Sequence, residues 1–327
     1  MQTNELFAPR ILVVSGKGGV GKTTVSSALA LVAARTGRRV CVVEVDRKGT
    51  LARVLGGRQP GYDPVELLPG IWGITITAED ALAEYLRVQY HMRRMSWLFT
   101  STHFVDYITT AAPGLKDILV LGKIWFLEQG RDARHEFDTI IVDAPAAGHL
   151  RTFLSSPMGL SDAVRVGPIR RQSAWLNEML TDPSRTRVHL VALAEEMPVT
   201  ETVETTHALG ELGLSSGIVF ANAVYAELLS KSQKAVLQDI VARGRSDQLI
   251  KAGDAVGLSL DSEDLDALLG YERFLSARRS IQASHLRRLK RSLDNPIVTL
   301  PFLFSAGLDL PSIETMADVI EDEVASL

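Results

Sequence analysis

Between a short apolar run, Ile11 to Val14, and an Ala/Leu/Val-rich stretch, Thr23 to Ala34, the chain reads Gly16-Lys17-Gly18-Gly19-Val20-Gly21-Lys22-Thr23. Glycine, four residues, then Gly-Lys-Thr is the P-loop pattern, and its place after a strand and at the mouth of a helix is the context the pattern requires. A helix opening on such a turn leaves its first N–H groups free, and with the positive end of the helix dipole they suit an anion. The glycines let successive N–H groups converge on a β-phosphate with no Cβ in the way. Lys22 then neutralises the β and γ oxygens, and Thr23 offers its hydroxyl to Mg²⁺.

The same stretch sets the fold class. Val40 to Val45 is a second β-branched run, so strand, helix and strand form a βαβ unit of a parallel sheet. Further continuous Val/Ile-rich runs read as buried strands at Gly73–Thr77, Thr139–Val142, His189–Leu193, Gly217–Ala221 and Pro296–Leu300. The expectation is a doubly wound, mostly parallel α/β sheet. Its 327 residues fit a single P-loop domain with helical insertions at about 81–136, 157–186 and 226–292. In the first insertion Tyr85, Val88, Met92, Met95 and Phe99 recur at spacings of 3 and 4. Such a stripe packs against neighbouring helices or forms a groove for an apolar client, and periodicity does not choose between these.

Charge and composition remove several function classes. The 35 Lys+Arg against 39 Asp+Glu leave a net charge of −4, which argues against a general polyanion binder such as a nucleic-acid protein. The densest basic run, His285 to Arg291, reads as the solvated side of a helix, and the stretch Pro311 to Leu327 is acidic, a charge that repels anionic lipids. The one cysteine, Cys41, forms no internal disulfide or thiolate zinc site and ligates no iron–sulfur cluster alone, which removes nitrogenase-type reductase chemistry. The seven histidines lack His-Glu-x-x-His or paired Cys/His spacing. The N-terminal residues lack the basic-plus-apolar pattern of an export signal, and no run of about 18 apolar residues could span a bilayer, so a cytoplasmic protein is expected.

Two carboxylates fall where a triphosphate site needs them. Thr139-Ile140-Ile141-Val142-Asp143 is an apolar strand ending in Asp, the usual partner of Mg²⁺ and its waters. It is followed by the small, turn-prone segment Ala144 to His149, suited to shift when a γ-phosphate is present. Asp46, closing the second strand, either orients the attacking water or caps the next helix.

Together these residues resemble the family of anion-transporting ATPases: the arsenite-pump ATPases and the targeting factors that deliver tail-anchored membrane proteins. Gly16 to Thr24 is similar to the family's P-loop, in a deviant version with Lys17 near its start; Asp46 stands where the first switch begins, and Asp143 to His149 is similar to the second switch. The segment Ala194 to Val199 followed by Glu201-Thr202 resembles the family's strand-to-helix segment near the nucleotide. Asn222 stands at its adenine-reading Asn, and Leu300-Pro301-Phe302 at its base-proximal loop.

The resemblance implies an ATP- and Mg²⁺-dependent ATPase acting as a dimeric switch. In it Lys17 reaches the partner's phosphates, a cation in trans worth about 10³ to 10⁵ in rate. Gly148, Glu195, Asn222, Pro301 and Phe302 then join Gly16 to Thr24 as nucleotide contacts, Thr23 and Asp143 hold the metal, and Lys17 and Asp46 are the catalytic pair. Ala112-Pro113-Gly114 and Gly122-Lys123 are similar to a bacterial subgroup in which related subunits pair, so the partner is a second copy or a paralogue, with an apolar protein client as a further candidate. Departures are specific. The first switch reads Asp46-Arg47-Lys48-Gly49 rather than Asp-Pro-Ala-His, which implies slow hydrolysis, and the second reads Asp143-Ala144-Pro145-Ala146-Ala147-Gly148-His149, losing two hydroxyls. The cysteines of zinc-bridged dimers and of arsenite sites are absent. Two alternatives accompany this reading: an ATP-gated scaffold that scarcely turns over, and a positioning or partitioning ATPase.

Overall fold

Alternation along the first strand decides how the layers stack. In the computed structural model, which describes residues 3–45, 49–90, 114–130, 136–163, 168–305 and 307–327, Ile11 and Val13 join one apolar cluster while Leu12 and Val14 join another. Successive side chains of a strand point to opposite faces, so a strand apolar at every position needs cover on both.

The first half of the described chain runs α1 (Thr3–Leu6), β1 (Ile11–Gly16), α2 (Lys22–Arg35), β2 (Val40–Val45), α3 (Thr50–Leu55), β3 (Val65–Leu68), β4 (Ile71–Ile76), α4 (Ala78–Tyr90) and α5 (Leu115–Glu128). It continues with β5 (Thr139–Ala146), α6 (Ala147–Ala163), α7 (Pro168–Thr181), β6 (Thr186–Leu193) and α8 (Glu196–Glu211). The last part is β7 (Ser216–Val224), α9 (Lys231–Ala242), α10 (Ser246–Ala255), α11 (Ser262–Ser292), β8 (Ile297–Pro301) and α12 (Leu310–Ala325). The strands form one eight-stranded sheet in the order β3-β4-β2-β5-β1-β6-β7-β8. All neighbours are parallel except β3 and β4. One face is covered by α2, α3 and α12 through Leu29, Leu51, Ile313 and Met316. The other is covered by α5, α6, α7 and α8 through Ile124, Phe153, Leu176 and Val199. This is the doubly wound α/β sheet that the Val/Ile runs predict. Cys41 is a fully buried residue of β2.

Three local differences from the sequence reading have physical causes. The antiparallel edge strand β3 is four residues long and carries a charge, Glu66, so it has no apolar run to announce it. The helix read as starting after Pro157 instead begins at Ala147 and runs through the proline. Proline has no N–H for the carbonyl four residues back, which here is Phe153; the Ser156 hydroxyl donates to that oxygen at 2.9 Å instead. Strand β7 continues past Ala221 to Val224.

The helical segments differ in how they pack. On α4 the Tyr85 hydroxyl donates to Gln172 of α7 at 3.1 Å; Met92, Met95 and Phe99 lie outside the described residues, as does Val88's side chain. The buried Lys123 of α5 pairs with Glu84 of α4 at 2.9 Å, and the Tyr62 hydroxyl donates to the same carboxylate at 2.6 Å. Burial and that carboxylate push the Tyr62 phenol well above its ordinary value. Between β7 and β8, α9 buries no side chain and α10 buries only Gly253, whereas α11, 31 residues long, returns to the body through Gln282 and Leu289. Among the described residues no helix is long and apolar enough to cross a membrane.

His189 in β6 is a buried titratable group far from water. Its Nδ1 accepts the Ile218 N–H at 3.0 Å, where the β6–β7 ladder shifts register. Burial, then the Arg187 charge, push its pKa from 6.5 to about 3. The folded state therefore holds the ring neutral where the unfolded chain would protonate it, so stability present above pH 6.5 is lost as pH falls toward 3. The expected slope for this group is up to about 1.4 kcal/mol per pH unit. Urea unfolding at pH 7, 6 and 5 should show a shallower acid dependence for His189→Gln than for the wild type.

Candidate nucleotide site

Strands β1, β2, β5, β6, β7 and β8 run parallel, so their C-terminal ends share one edge of the sheet. There β1 lies between β5 and β6, with crossovers leaving to opposite sides, which opens a crevice of the kind that takes ligands in such sheets. Residues 17–21 bridge β1 and α2 across it. At Gly16 a Cβ would stand 2.1 Å from the Val191 carbonyl oxygen, so only glycine lets β1 end this close to β6. Gly21 takes a left-handed φ of 94° at the N-cap of α2 and supplies no side-chain acceptor to the first turn. The orphan N–H groups of that turn are left to an external anion. Around Gly18 and Gly19 an added Cβ would meet nothing within 4 Å. Val20 is buried and anchors the loop from below, while Lys22 Nζ curls back to the Lys17 carbonyl at 3.1 Å.

Thr23 Oγ1 donates to Asp143 Oδ2 at 2.7 Å. Asp143 is 1% exposed and stands opposite Val14 in the β1–β5 register, so the sheet itself brings this carboxylate under the loop. A hydroxyl and a carboxylate side by side are the hard oxygen donors Mg²⁺ takes, with substrate phosphates and waters filling the remaining positions, and these residues fit that ion. The Ser15 hydroxyl donates to the Pro145 carbonyl at 2.7 Å and ties the following segment to β1. Gly148 is exposed with open space about it, and Thr24 is buried in the first turn of α2. His149 Nε2 lies 3.6 Å from Asp117 Oδ1.

Asp46 lies outside the described residues. After it the chain is pinned by Glu44 of β2, which is fully buried and accepts the N–H groups of Gly49 at 3.2 Å and Thr50 at 3.0 Å. A carboxylate at the start of α3 also complements the helix dipole.

Lys17 makes an ion pair with Glu201 of α8 in its own chain. Glu195, which the resemblance puts near the nucleotide, is exposed at the N-cap of α8, where its side chain makes no capping hydrogen bond. Charge complementarity could have pointed to one of the acidic residues around α8 as the partner of Lys17. Gly148, Arg151, Glu201 and Glu204 line a cavity of about 330 Å³, so the segment after β5 and the Glu201 partner of Lys17 face a common space.

At the far end of the crevice Asn222 Nδ2 donates to the Val20 carbonyl at 2.9 Å. The next residue, Ala223, has a φ of 54°, alone among described non-glycine residues in being positive, and the β7–β8 register shifts there. That conformation costs about 1–2 kcal/mol for an L-residue. Pro301 ends β8, and the Phe302 N–H donates to the Val224 carbonyl at 2.9 Å. The rings of Tyr225 and Phe302 stack at 4.8 Å, and Phe304 meets Phe302 edge-on at 4.8 Å. Tyr225 and Phe304 were not singled out from sequence, because isolated aromatics in loop-forming stretches carry no periodic signal.

The fold and this loop define a P-loop nucleotide-binding protein. More narrowly, the chain belongs to the anion-transporting ATPase family, whose model matches residues 9–172 and 169–240. It is 30% identical to the ATPase BagA of Mycobacterium tuberculosis over 98% of this chain and 95% of that protein. It is 28% identical to an arsenical pump-driving ATPase of Escherichia coli over 66% of this chain and 40% of the relative, and 28% identical to one of Acidiphilium multivorum over 67% and 40%.

A Cβ at Gly21 would stand 2.3 Å from Asn222 Nδ2. Gly21→Ala should therefore cost more than the roughly 1–2 kcal/mol of left-handed strain, because it also breaks the Asn222–Val20 hydrogen bond. In a urea-unfolding double-mutant cycle, Asn222→Ala should add almost nothing to Gly21→Ala while destabilising the wild type by about 1 kcal/mol.

Proposed function

We propose that this protein binds Mg·ATP at the crevice and hydrolyses it as a dimeric switch, with one protomer's Lys17 acting on its partner's triphosphate. The observation that carries the nucleotide reading is the uncapped first turn of α2 beside the Thr23–Asp143 pair, 2.7 Å apart under the same loop. Backbone N–H groups from Gly18 to Thr23 hold the β-phosphate, and Lys22 neutralises the β and γ oxygens. Thr23 and Asp143 hold the metal. Mg²⁺ held there would supply positive charge against that of the triphosphate. Asp46 orients the attacking water and takes its proton. The Asn222 carboxamide and the rings of Phe302 and its neighbours receive the base, which stacking favours over an open surface.

The dimer is what the family resemblance implies for Lys17. In the single chain its ammonium is spent on Glu201, with both side chains about one-third exposed, 36% and 31%. Use in trans exchanges that carboxylate for a partner's γ-phosphate, a stronger anion. The partner is a second copy or a paralogous subunit. A stripe of exposed Leu268, Tyr271, Phe274 and Ile281 on α11 supports an apolar protein partner as well.

The altered first switch, Asp46-Arg47-Lys48-Gly49, favours one competing reading: a nucleotide-gated scaffold with negligible turnover. Single-turnover hydrolysis with Mg·ATP separates the two. The wild-type rate per protomer should rise with protein concentration. Lys17→Ala and Asp46→Asn should each lower it by about 10² or more. Equal, near-background rates in all three proteins would establish the scaffold instead.

A further inference from the structure

We infer that Gln282 of α11 is a positioning residue for the base end of the nucleotide site, and that through it the α9–α11 insertion sets nucleotide affinity. The inference rests on the nucleotide reading above. Gln282 is 9% exposed and uses both ends of its carboxamide on one short stretch of β7. Its Nε2 donates to the Ala223 carbonyl at 2.9 Å, and its Oε1 accepts the Tyr225 N–H at 2.9 Å. The side chain thus takes the place of a neighbouring strand where the β7–β8 ladder is interrupted, between Ala221 and Val224.

What lies between the two hydrogen bonds explains why the clamp is needed. Ala223, with φ 54°, occupies a region that an alanine leaves spontaneously for the extended one. Relaxation there would turn the peptide planes on both sides. On one side stands Asn222, whose Nδ2 reaches the P-loop at the Val20 carbonyl. On the other stands Tyr225, whose ring stacks on Phe302. A single buried amide therefore fixes the polar and the aromatic halves of the base-binding end together. It acts through the backbone of Ala223 and Tyr225, not on the Asn222 carboxamide or the Phe302 ring. The same helix carries the exposed stripe Leu268 to Ile281, and its N-terminal part connects to α9 and α10, which bury almost nothing. A load on that insertion reaches the nucleotide site through Gln282 and the strained backbone at Ala223.

The test separates the base end from the phosphate end. Binding of ATP and of inorganic tripolyphosphate is measured by calorimetry on the full chain, for the wild type, Gln282→Leu and the double variant Gln282→Leu/Ala223→Gly. Gln282→Leu keeps the volume and loses both hydrogen bonds, and should weaken ATP about five- to tenfold while leaving tripolyphosphate affinity unchanged. Glycine occupies the left-handed region without help, so the double variant should recover most of the ATP affinity. Should Gln282→Leu prove unfolded, Gln282→Glu, which keeps the acceptor for Tyr225 and loses the donor to Ala223, replaces it with the same expectation. Equal weakening of ATP and tripolyphosphate, or no change in either, overturns the positioning role. Failure of the wild type to bind tripolyphosphate at all overturns the phosphate-site reading itself, and this inference with it.

Discussion

Everything in this site depends on a helix that begins without a side-chain cap. Ordinary helices meet their first free N–H groups with a Ser, Thr, Asp or Asn side chain. Here α2 starts from Gly21 in a left-handed turn, with no hydrogen bond from a capping side chain. The deficit is tolerated because α2 is held by burial instead: nine of its residues from Thr24 to Ala33 are buried against the sheet and α12. An apolar helix wedged under a parallel sheet can carry an unsatisfied, electropositive end, and that end is the part a phosphate recognises. Stability and function are thus separated along one element, with the packing at its middle and C-terminus and the chemistry at its N-terminus.

The crevice around that end is kept open by close contacts rather than by space left over. Gly16 lets β1 approach the Val191 carbonyl of β6 to a distance no side chain would permit, and Gly21 makes room for the Asn222 amide. Both contacts draw the strands of the second half of the sheet toward the loop. On the opposite side, Thr23 and Asp143 do the same for β5. The loop is therefore stitched to three strands, β5, β6 and β7, and its shape follows from the register of the sheet rather than from loop sequence alone.

That arrangement explains which parts of the molecule were legible in the chain. The strands and the P-loop could be read because both obey short-range rules: continuous Val/Ile runs for strands buried on two faces, and fixed glycine spacing for a turn that meets a phosphate. Asp143 was readable as the polar end of such a run. What stayed hidden was set by long-range geometry. Glu201 meets Lys17 across 184 residues of sequence and Gln282 meets Ala223 across 59, and nothing local distinguishes either from other surface-type Glu or Gln residues on a helix. The proline in α6 misled for a local reason, since its cost is offset by one serine hydroxyl, Ser156, one position earlier.

The departures from the family pattern cluster where the structure supplies other supports. The first switch lacks the Pro-Ala-His that follows Asp in the resemblance, and Arg47-Lys48-Gly49 takes its place. Two residues before Asp46 in sequence, Glu44 of β2 is a buried carboxylate shared among the Gly49, Thr50 and Leu51 N–H groups, with the Thr75 hydroxyl 3.3 Å away. Burying a carboxylate is costly unless it is met by several donors, and here the donors are the first turn of α3 itself. Removing Glu44 would leave that turn without its acceptor, while the Thr75 hydroxyl would keep the Pro60 carbonyl at 3.0 Å, so the segment from Gly49 onward is anchored by the strand that precedes it. The anchor uses the backbone N–H groups of Gly49, Thr50 and Leu51, so it does not depend on the side chains that differ from the family pattern.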